Sequence, residues 1–255
     1  MDRTVVVIPC YDEAERLDVS AFRRFAARAP DVQLLFVDDG SRDETLRVLD
    51  ALRQECPDRV DVLRLPTNAG KAEAVRHGVL EAMRRGCEFV AFWDADLSTS
   101  LDEIDCFRAT LRERPEIEMV FAARVNLLGR EVRRKLSRHY LGRIFATLVA
   151  FSLRLPIYDT QCGAKMFRVT DDLRLVMSER FLSRWVFDVE ILARFLLLRR
   201  AASGRTPLRS VIVEEPLQRW TDVHGSKLRP WHFAAGMVDF ARIYVRYLRR
   251  IGGGT

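Results

Sequence analysis

Phe89–Ser98 reads FVAFWDADLS. Five apolar residues, Phe89 to Trp93, run without a break into two acids, Asp94 and Asp96, with only Ala95 between them. An apolar run of this kind suits a strand buried on both faces, and open α/β sheets hold ligands at the carboxyl ends of such strands. Residues two apart on an extended segment project to the same side, so both carboxylates aim at one point. Paired hard oxygen donors there suit Mg²⁺ or Mn²⁺ bridged to phosphate oxygens. Paired acids are also common in solvated turns, so the surrounding chain has to carry the argument.

Upstream the same pattern repeats. Thr4–Ile8 (TVVVI) is β-branched and predicts a central strand ended by Pro9, followed by the loop Cys10-Tyr11-Asp12-Glu13. Leu17, Phe22 and Phe25 then recur at helical spacing. Val32–Val37 predicts a second strand closing on Asp38-Asp39-Gly40-Ser41, with Asp43 capping a helix that carries Leu46, Val48, Leu49 and Leu52. Val60–Leu65 predicts a third strand, and Asn68-Ala69-Gly70-Lys71 opens a helix through Val75, Val79 and Met83. Downstream of Asp96, Leu101–Arg112 reads as a helix and Ile117–Ala122 as a fifth strand. Strands alternating with helices predict an α/β fold with a mostly parallel central sheet covered on both faces. No GxGxxG follows the first strand and no Walker-type loop occurs, which argues against a standard dinucleotide fold.

The second half reads as helical. Gly129–Leu155 predicts one long helix with Leu141, Phe145, Leu148 and Ser152 down one face and Arg130, Arg134 and Arg138 as a basic stripe, stopped by Pro156. Tyr158–Arg168 (YDTQCGAKMFR) reads as irregular chain holding Asp159, Gly163 and Lys165. Phe187–Leu198 predicts a helix, Val211–Val213 a short strand and Trp220–Lys227 a polar loop. Phe233, Met237, Phe240, Tyr244 and Tyr247 form the apolar face of a last amphipathic helix, with Arg242, Arg246, Arg249 and Arg250 beside it. No repeat or linker divides the chain, so a single domain is expected: a nucleotide-binding half (1–125), an acceptor half (126–230) and a C-terminal amphipathic helix (231–250).

Length and charge narrow the function classes. A chain of 255 residues supports one large core, and a net charge of +6 favours phosphate-bearing partners: nucleotides, anionic membranes or nucleic acid. Against nucleic acid, the basic residues are spread, and the aromatics fall on core-like faces. A nucleotidyltransferase would want a Gly-rich basic loop after the first strand, where PCYDEAE supplies acids. The five scattered cysteines contain no C-x-x-C pair, as expected of a reduced cytoplasmic protein. No apolar run approaches the roughly 18 residues needed to span a bilayer, and no signal peptide is expected.

VVVIPCYDE, FVDDGSRDET, NAGKAEAVRHG and FWDADLS, in this order, resemble family 2 glycosyltransferases with the GT-A nucleotide-sugar fold. The later YDTQCGAKMFR, FDVEIL and HGSKL resemble the polyprenyl-phosphate branch, nearest the dolichyl-phosphate β-glucosyltransferases. The resemblance covers Thr4 to Pro230 and implies an inverting, metal-dependent hexosyl transfer, with UDP-glucose as donor and polyprenyl phosphate as acceptor. GDP-mannose and a soluble hydroxyl acceptor are the alternatives. It implies that Pro9, Tyr11 and Glu13 frame base and ribose, that Val37 and Asp39 read the base, and that Asp94, Ala95 and Asp96 hold the nucleotide. Asp96 would ligate Mg²⁺ or Mn²⁺ directly, with Asp94 at the ribose or at metal-bound water. Lys227 would stabilise the departing β-phosphate, and Arg124 and Arg138 would contact phosphate. A phosphate acceptor is already ionised at neutral pH, whereas a hydroxyl acceptor needs a carboxylate base, for which Asp159 and Asp188 are the candidates. Many relatives carry membrane-spanning helices; here the basic helix faces predict peripheral contact with an anionic membrane.

Overall fold

The computed structural model describes residues 3–133, 136–201, 204–221 and 230–249, except the side chains of 133–141 and 230–234. Among them a seven-stranded sheet runs in the order β3-β2-β1-β4-β7-β5-β8. β1 (Thr4–Cys10), β2 (Val32–Asp38), β3 (Val60–Arg64) and β4 (Phe89–Trp93) are mutually parallel. β7 (Ala164–Arg168) runs antiparallel to both β4 and β5 (Met119–Ala123), so β5 points the same way as β4, and β8 (Ile212–Pro216) is parallel to β5. The carboxyl ends of β1, β2, β4 and β5 therefore share one edge with the amino end of β7. Strand order reverses between β1 and β4, the crevice where doubly wound sheets bind ligands.

Alternation along the strands feeds two cores. Val6, Ile8, Leu34, Phe36, Phe89, Ala91 and Trp93 face one of them, with Phe22, Leu49 and Phe107 of α1 (Val19–Arg28), α2 (Thr45–Glu55) and α4 (Glu103–Glu113). Val5, Val7, Leu35, Val37, Val90 and Phe92 face the other. There they meet α3 (Lys71–Arg84), α5 (Leu136–Leu153), α6 (Asp171–Ser178), α7 (Phe187–Ala201) and α8 (Pro230–Ile243). Pro9 does not end β1: it stays in register opposite Val37, two residues beyond Val7, where the ladder to β4 ends. Asp43 accepts from the Thr45 N–H, but it precedes the N-cap, Glu44, and its second oxygen ties down the Ala14 N–H.

The second half departs further from the sequence reading. The predicted helix from Gly129 is a short strand, β6 (Glu131–Arg133), parallel to β9 (Arg219–Thr221), and α5 begins only at Leu136. The Glu131 N–H donates to the Gln218 carbonyl at 3.0 Å and the Arg130 guanidinium to the Pro216 carbonyl, so Arg130 is not part of a helical stripe. On α5 the buried row is Phe145, Val149 and Leu153, while Ile144, Leu148 and Phe151 face outward. The last helix tightens inward at Phe240 and Ile243, then widens into a π-helical turn, Tyr244–Leu248. Ile243, rather than Tyr244, fills the inward position of this turn, so Tyr244 faces out where the sequence pattern put it inside. The second half of YDTQCGAKMFR is β7 rather than irregular chain. Ala164 and Met166 enter one core and Phe167 the other, and Lys165 interrupts an otherwise apolar alternation. Of the Trp220–Lys227 loop, Trp220 and Thr221 are strand, and 222–229 lie outside the described residues.

Candidate active site

The β1–α1 and β2–α2 loops are stitched together at the sheet edge. The Asp12 N–H donates to Ser41 Oγ, the Glu13 N–H to Thr45 Oγ1 at 2.7 Å, and the Arg42 N–H to Asp12 Oδ1 at 2.8 Å. Asp12 has φ of 49°, in the left-handed region that a short polar side chain tolerates. Gly40, with φ of +66°, is needed sterically as well, because a Cβ there would lie 2.7 Å from the Thr67 carbonyl carbon. Tyr11 and Glu13 stand half-buried beside this seam, and Pro9 is partly exposed at its root.

The two acids that end β2 are both buried, but they do different work. Asp38 accepts the Ser41 N–H within its own turn. Asp39 accepts the N–H groups of Ala69 and Gly70, each at 2.8 Å, and so anchors the loop that starts α3. Burial pushes the Asp39 carboxyl up against the opposing pull of those two donors. The Val37 side chain is wholly buried in the core beneath α3, so Val37 can offer only its backbone to a ligand.

At the end of β4, Asp94 and Asp96 are both partly exposed. The Asp94 N–H donates to the Gly163 carbonyl at 3.0 Å, and Asp96 accepts the Ser98 N–H at 3.0 Å. Gly163 lies so close that a Cβ on it would stand 1.8 Å from Asp94 Oδ2, so only glycine leaves that carboxylate its place. On the other side the Lys71 ammonium pairs with Asp94 Oδ1. Burial pulls Lys71 down, but the carboxylates of Asp94, Asp188 and Asp96 outweigh it and hold the lysine protonated.

Asp159 and Asp188, the two candidate bases, are both buried and paired. Asp159 takes a two-pronged contact from Arg124, Nε at 2.7 Å and Nη2 at 2.8 Å, and the Arg124 and Gln161 N–H groups as well. Burial would raise its carboxyl, yet the Arg124 guanidinium, with help from Lys165, holds it well below 3.8. Asp159 is therefore a poor proton acceptor, and the Arg124 fork is spent on a carboxylate rather than open to phosphate. The Arg124 guanidinium also lies 5.5 Å from the Trp220 ring centroid, and Glu214 accepts the Tyr158 and Asp159 N–H groups. Asp188 does not cap α7; Ser183 Oγ accepts the Val186 N–H ahead of that helix, and Asp188 pairs with Lys165 Nζ at 2.6 Å. Lys165 is wholly buried, with its ammonium 5.2 and 5.0 Å from the rings of Phe92 and Phe121. Burial pushes the Asp188 carboxyl up against the pull of Lys165 and Lys71. The Arg138 side chain and all of Lys227 lie outside the described residues.

The profile of Glycosyl transferase family 2 matches residues 5–174, two-thirds of the chain, including the strands and loops that carry Asp38, Asp39, Asp94, Asp96 and Asp159. The chain belongs to that family. It is 33% identical to a dolichyl-phosphate beta-glucosyltransferase of Drosophila melanogaster over 95% of this chain and 74% of that protein. The dolichyl-phosphate beta-glucosyltransferase of Homo sapiens is 31% identical over 95% and 75%. Among solved structures, glucosyl-3-phosphoglycerate synthase from Mycobacterium tuberculosis, in complex with Mn²⁺, UDP and glucosyl-3-phosphoglycerate, superposes with a TM-score of 0.64 at 16% identity. That match covers 96% of this chain and 80% of that one. A mannosyltransferase from Pyrobaculum calidifontis, in complex with GDP-Man and Mn²⁺, gives 0.61 at 17% identity, over 99% of this chain and 65% of that one. The shared fold is the GT-A fold.

In this family 2 glycosyltransferase the structure brings Pro9, Tyr11, Glu13, Asp39, Asp94, Ala95 and Asp96 to one sheet edge, with Arg124, Asp159 and Asp188 beside them. Two residues absent from the sequence-derived site stand among them, Lys71 and Lys165. Lys71 had a signal: a lysine at the first position of a helix sits against the positive end of the helix dipole and needs an acid nearby. Lys165 had only its place beside Gly163 in an otherwise apolar strand.

Proposed function

We propose that this glycosyltransferase moves glucose, with inversion, from UDP-glucose to a polyprenyl phosphate of the dolichyl type, using Mg²⁺ or Mn²⁺. The observation that carries the reading is the place of Asp94 and Asp96 at the carboxyl end of β4, beside the β1/β4 switch point and on the same sheet edge as the Tyr11–Glu13 and Asp38–Asp39 loops. Among the described residues no group of three or more His, Cys, Asp or Glu could hold a metal ion. Two carboxylates suffice where phosphate oxygens and water complete the shell, which is how Mg²⁺ is usually held beside nucleotides. A lysine ammonium already seated on Asp94 marks the spot as one that favours a cation. Asp96 and Asp94 would hold the ion, which would neutralise charge building on the departing diphosphate.

The remaining work falls to the chain itself. The main chain of the Pro9–Glu13 loop, the Val37 backbone and the unused lone pairs of Asp39 would receive the base and ribose. Lys227 and Arg138 would meet the diphosphate, while Arg124 orders Asp159 and the loop before β7. An inverting transfer to an ionised phosphate needs no proton removed, and both candidate bases are locked in ion pairs. That favours a phosphate acceptor over a hydroxyl.

The surface suits a lipid-borne acceptor. Ile144, Leu148 and Phe151 of α5 and Val238, Tyr244 and Val245 of the last helix are exposed, and a cavity of 510 Å³ lined by Phe151, Arg154, Tyr244 and Leu248 opens between the two. Arg242, Arg246 and Arg249 are exposed on the same helix. Among the described residues no helix is long and apolar enough to cross a membrane; the contact proposed is peripheral, through these exposed apolar and basic side chains, on a cytoplasmic face. The test is nucleotide release from UDP-glucose, GDP-mannose and other donors, with and without a short polyprenyl phosphate. The expected result is acceptor-dependent UDP release, lost in Asp96→Asn and in excess chelator. Full turnover in chelator, or release dependent on a sugar-hydroxyl acceptor alone, would overturn the reading.

A further inference from the structure

Lys71 opens α3, where the positive end of the helix dipole disfavours a cation. It is placed there by Asp39, whose two oxygens hold the Ala69 and Gly70 N–H groups and so fix where the helix starts. The side chain spans from α3 to the end of β4 and pairs with Asp94, one of the two carboxylates assigned above to the cation. A second acid stands close by: Asp188, on α7, pairs with Lys165, which lies two residues along β7 from the Gly163 that packs against Asp94. Among the described residues Asp188 has one ion pair, to Lys165 through Oδ1, and a carboxylate can accept a second cation on its other oxygen. A divalent ion and an ammonium cannot both neutralise Asp94 without strong like-charge repulsion at contact distance.

We propose that Lys71 is the resident counter-ion of this two-carboxylate site, holding Asp94 until cation and nucleotide arrive and then moving to Asp188 as its second seat. Lys165, fixed between two aromatic rings, keeps Asp188 in place to receive it. Three consequences follow. Asp94 and Asp96 do not repel each other apart in the empty enzyme. Free metal competes with a tethered ammonium and binds poorly alone. Lys71 remains beside the diphosphate after the exchange. The inference rests on the cation site proposed above, and it adds Lys71 and Asp188 as positioning residues for it.

The test reads Mn²⁺ binding to the full chain directly, from the electron paramagnetic resonance signal of free Mn²⁺, with and without UDP. Wild type should bind Mn²⁺ weakly alone and more tightly with UDP. Lys71→Met should tighten Mn²⁺ binding without UDP by about tenfold and shrink the gain that UDP brings, whereas Lys71→Arg should behave as wild type. Asp188→Asn should weaken Mn²⁺ binding about tenfold when Lys71 is present and less than about threefold in the Lys71→Met background, because only a lysine loses a second seat. Lys71→Gln repeats the measurement should Lys71→Met fail to fold, as judged by thermal unfolding. Unchanged or weaker Mn²⁺ binding in the Lys71 variants, or the same Asp188→Asn loss in both backgrounds, overturns the exchange alone. No Mn²⁺ binding to wild type even with UDP overturns the cation site and this inference with it.

Discussion

Replacing Asp159 with Asn separates a structural role from a catalytic one. Asp159 is 6% exposed and receives both prongs of Arg124 and the Arg124 N–H, so the substitution leaves a largely buried guanidinium without its ion-pair partner. Removing one partner of a buried ion pair costs about 3–5 kcal/mol. The Arg124 side chain keeps 14% exposure, which gives it some water and places this case near the lower end, about 3 kcal/mol. For a chain of this size that is a fall of roughly 6–12 °C in Tm. The pH dependence has a definite sign. The Asp159 carboxyl is held below its ordinary 3.8 in the folded state, so its contribution is complete above that value and is lost as pH falls through the lowered one. Urea unfolding of wild type and Asp159→Asn should therefore differ by a constant amount from about pH 8 to 5, and the two should converge in stronger acid. Turnover measured below the variant's Tm should fall far less than the loss of a general base requires, about 10²–10⁴-fold. An Asp159→Asn protein as stable as wild type at pH 7, with turnover abolished, would refute the argument and restore Asp159 as the base.

Gly163→Ala pushes a methyl group into the space of Asp94 Oδ2; turnover should drop by about a hundredfold with secondary structure by circular dichroism unchanged, and wild-type kinetics would contradict the close approach. Lys227→Ala should lower kcat more than it weakens UDP binding measured by calorimetry, because its charge is needed most as the sugar–phosphate bond breaks; equal losses would make it a simple binding residue. Replacing Arg242, Arg246 and Arg249 by Gln should release the protein from anionic liposomes in a cosedimentation assay. Each cation near such a surface contributes about 1 kcal/mol, and high salt should release wild type in the same way. Indifference to liposomes at all salt concentrations would remove the surface argument for a lipid acceptor.

The sequence by itself determined the first half of the molecule. TVVVI, VQLLFV and FVAFW are apolar on both faces, and a strand of that kind is stable only inside a covered parallel sheet, so the acid-bearing loops at their ends had one edge to share. The motifs from VVVIPCYDE to FWDADLS lie on those loops, which is why family and site edge were both legible. What failed in the second half failed where long-range partners override local pattern. Glu131–Arg133 has helical spacing around it, but its backbone bonds go to a segment near Gln218, and no local signal specifies that. β7 was hidden because its inward Lys165 is tolerated only with Asp188 opposite it, an acid supplied by another element. The same holds for the charges at the site. Arg124 and Asp159 are 35 residues apart, and Lys71 and Asp94 lie on different elements, so sequence named the ionisable groups without saying which neutralise one another. Only the sheet order and the antiparallel return of β7 bring those pairs into contact. In a buried setting of low dielectric constant, that contact decides whether an acid is a base, a ligand or a strut.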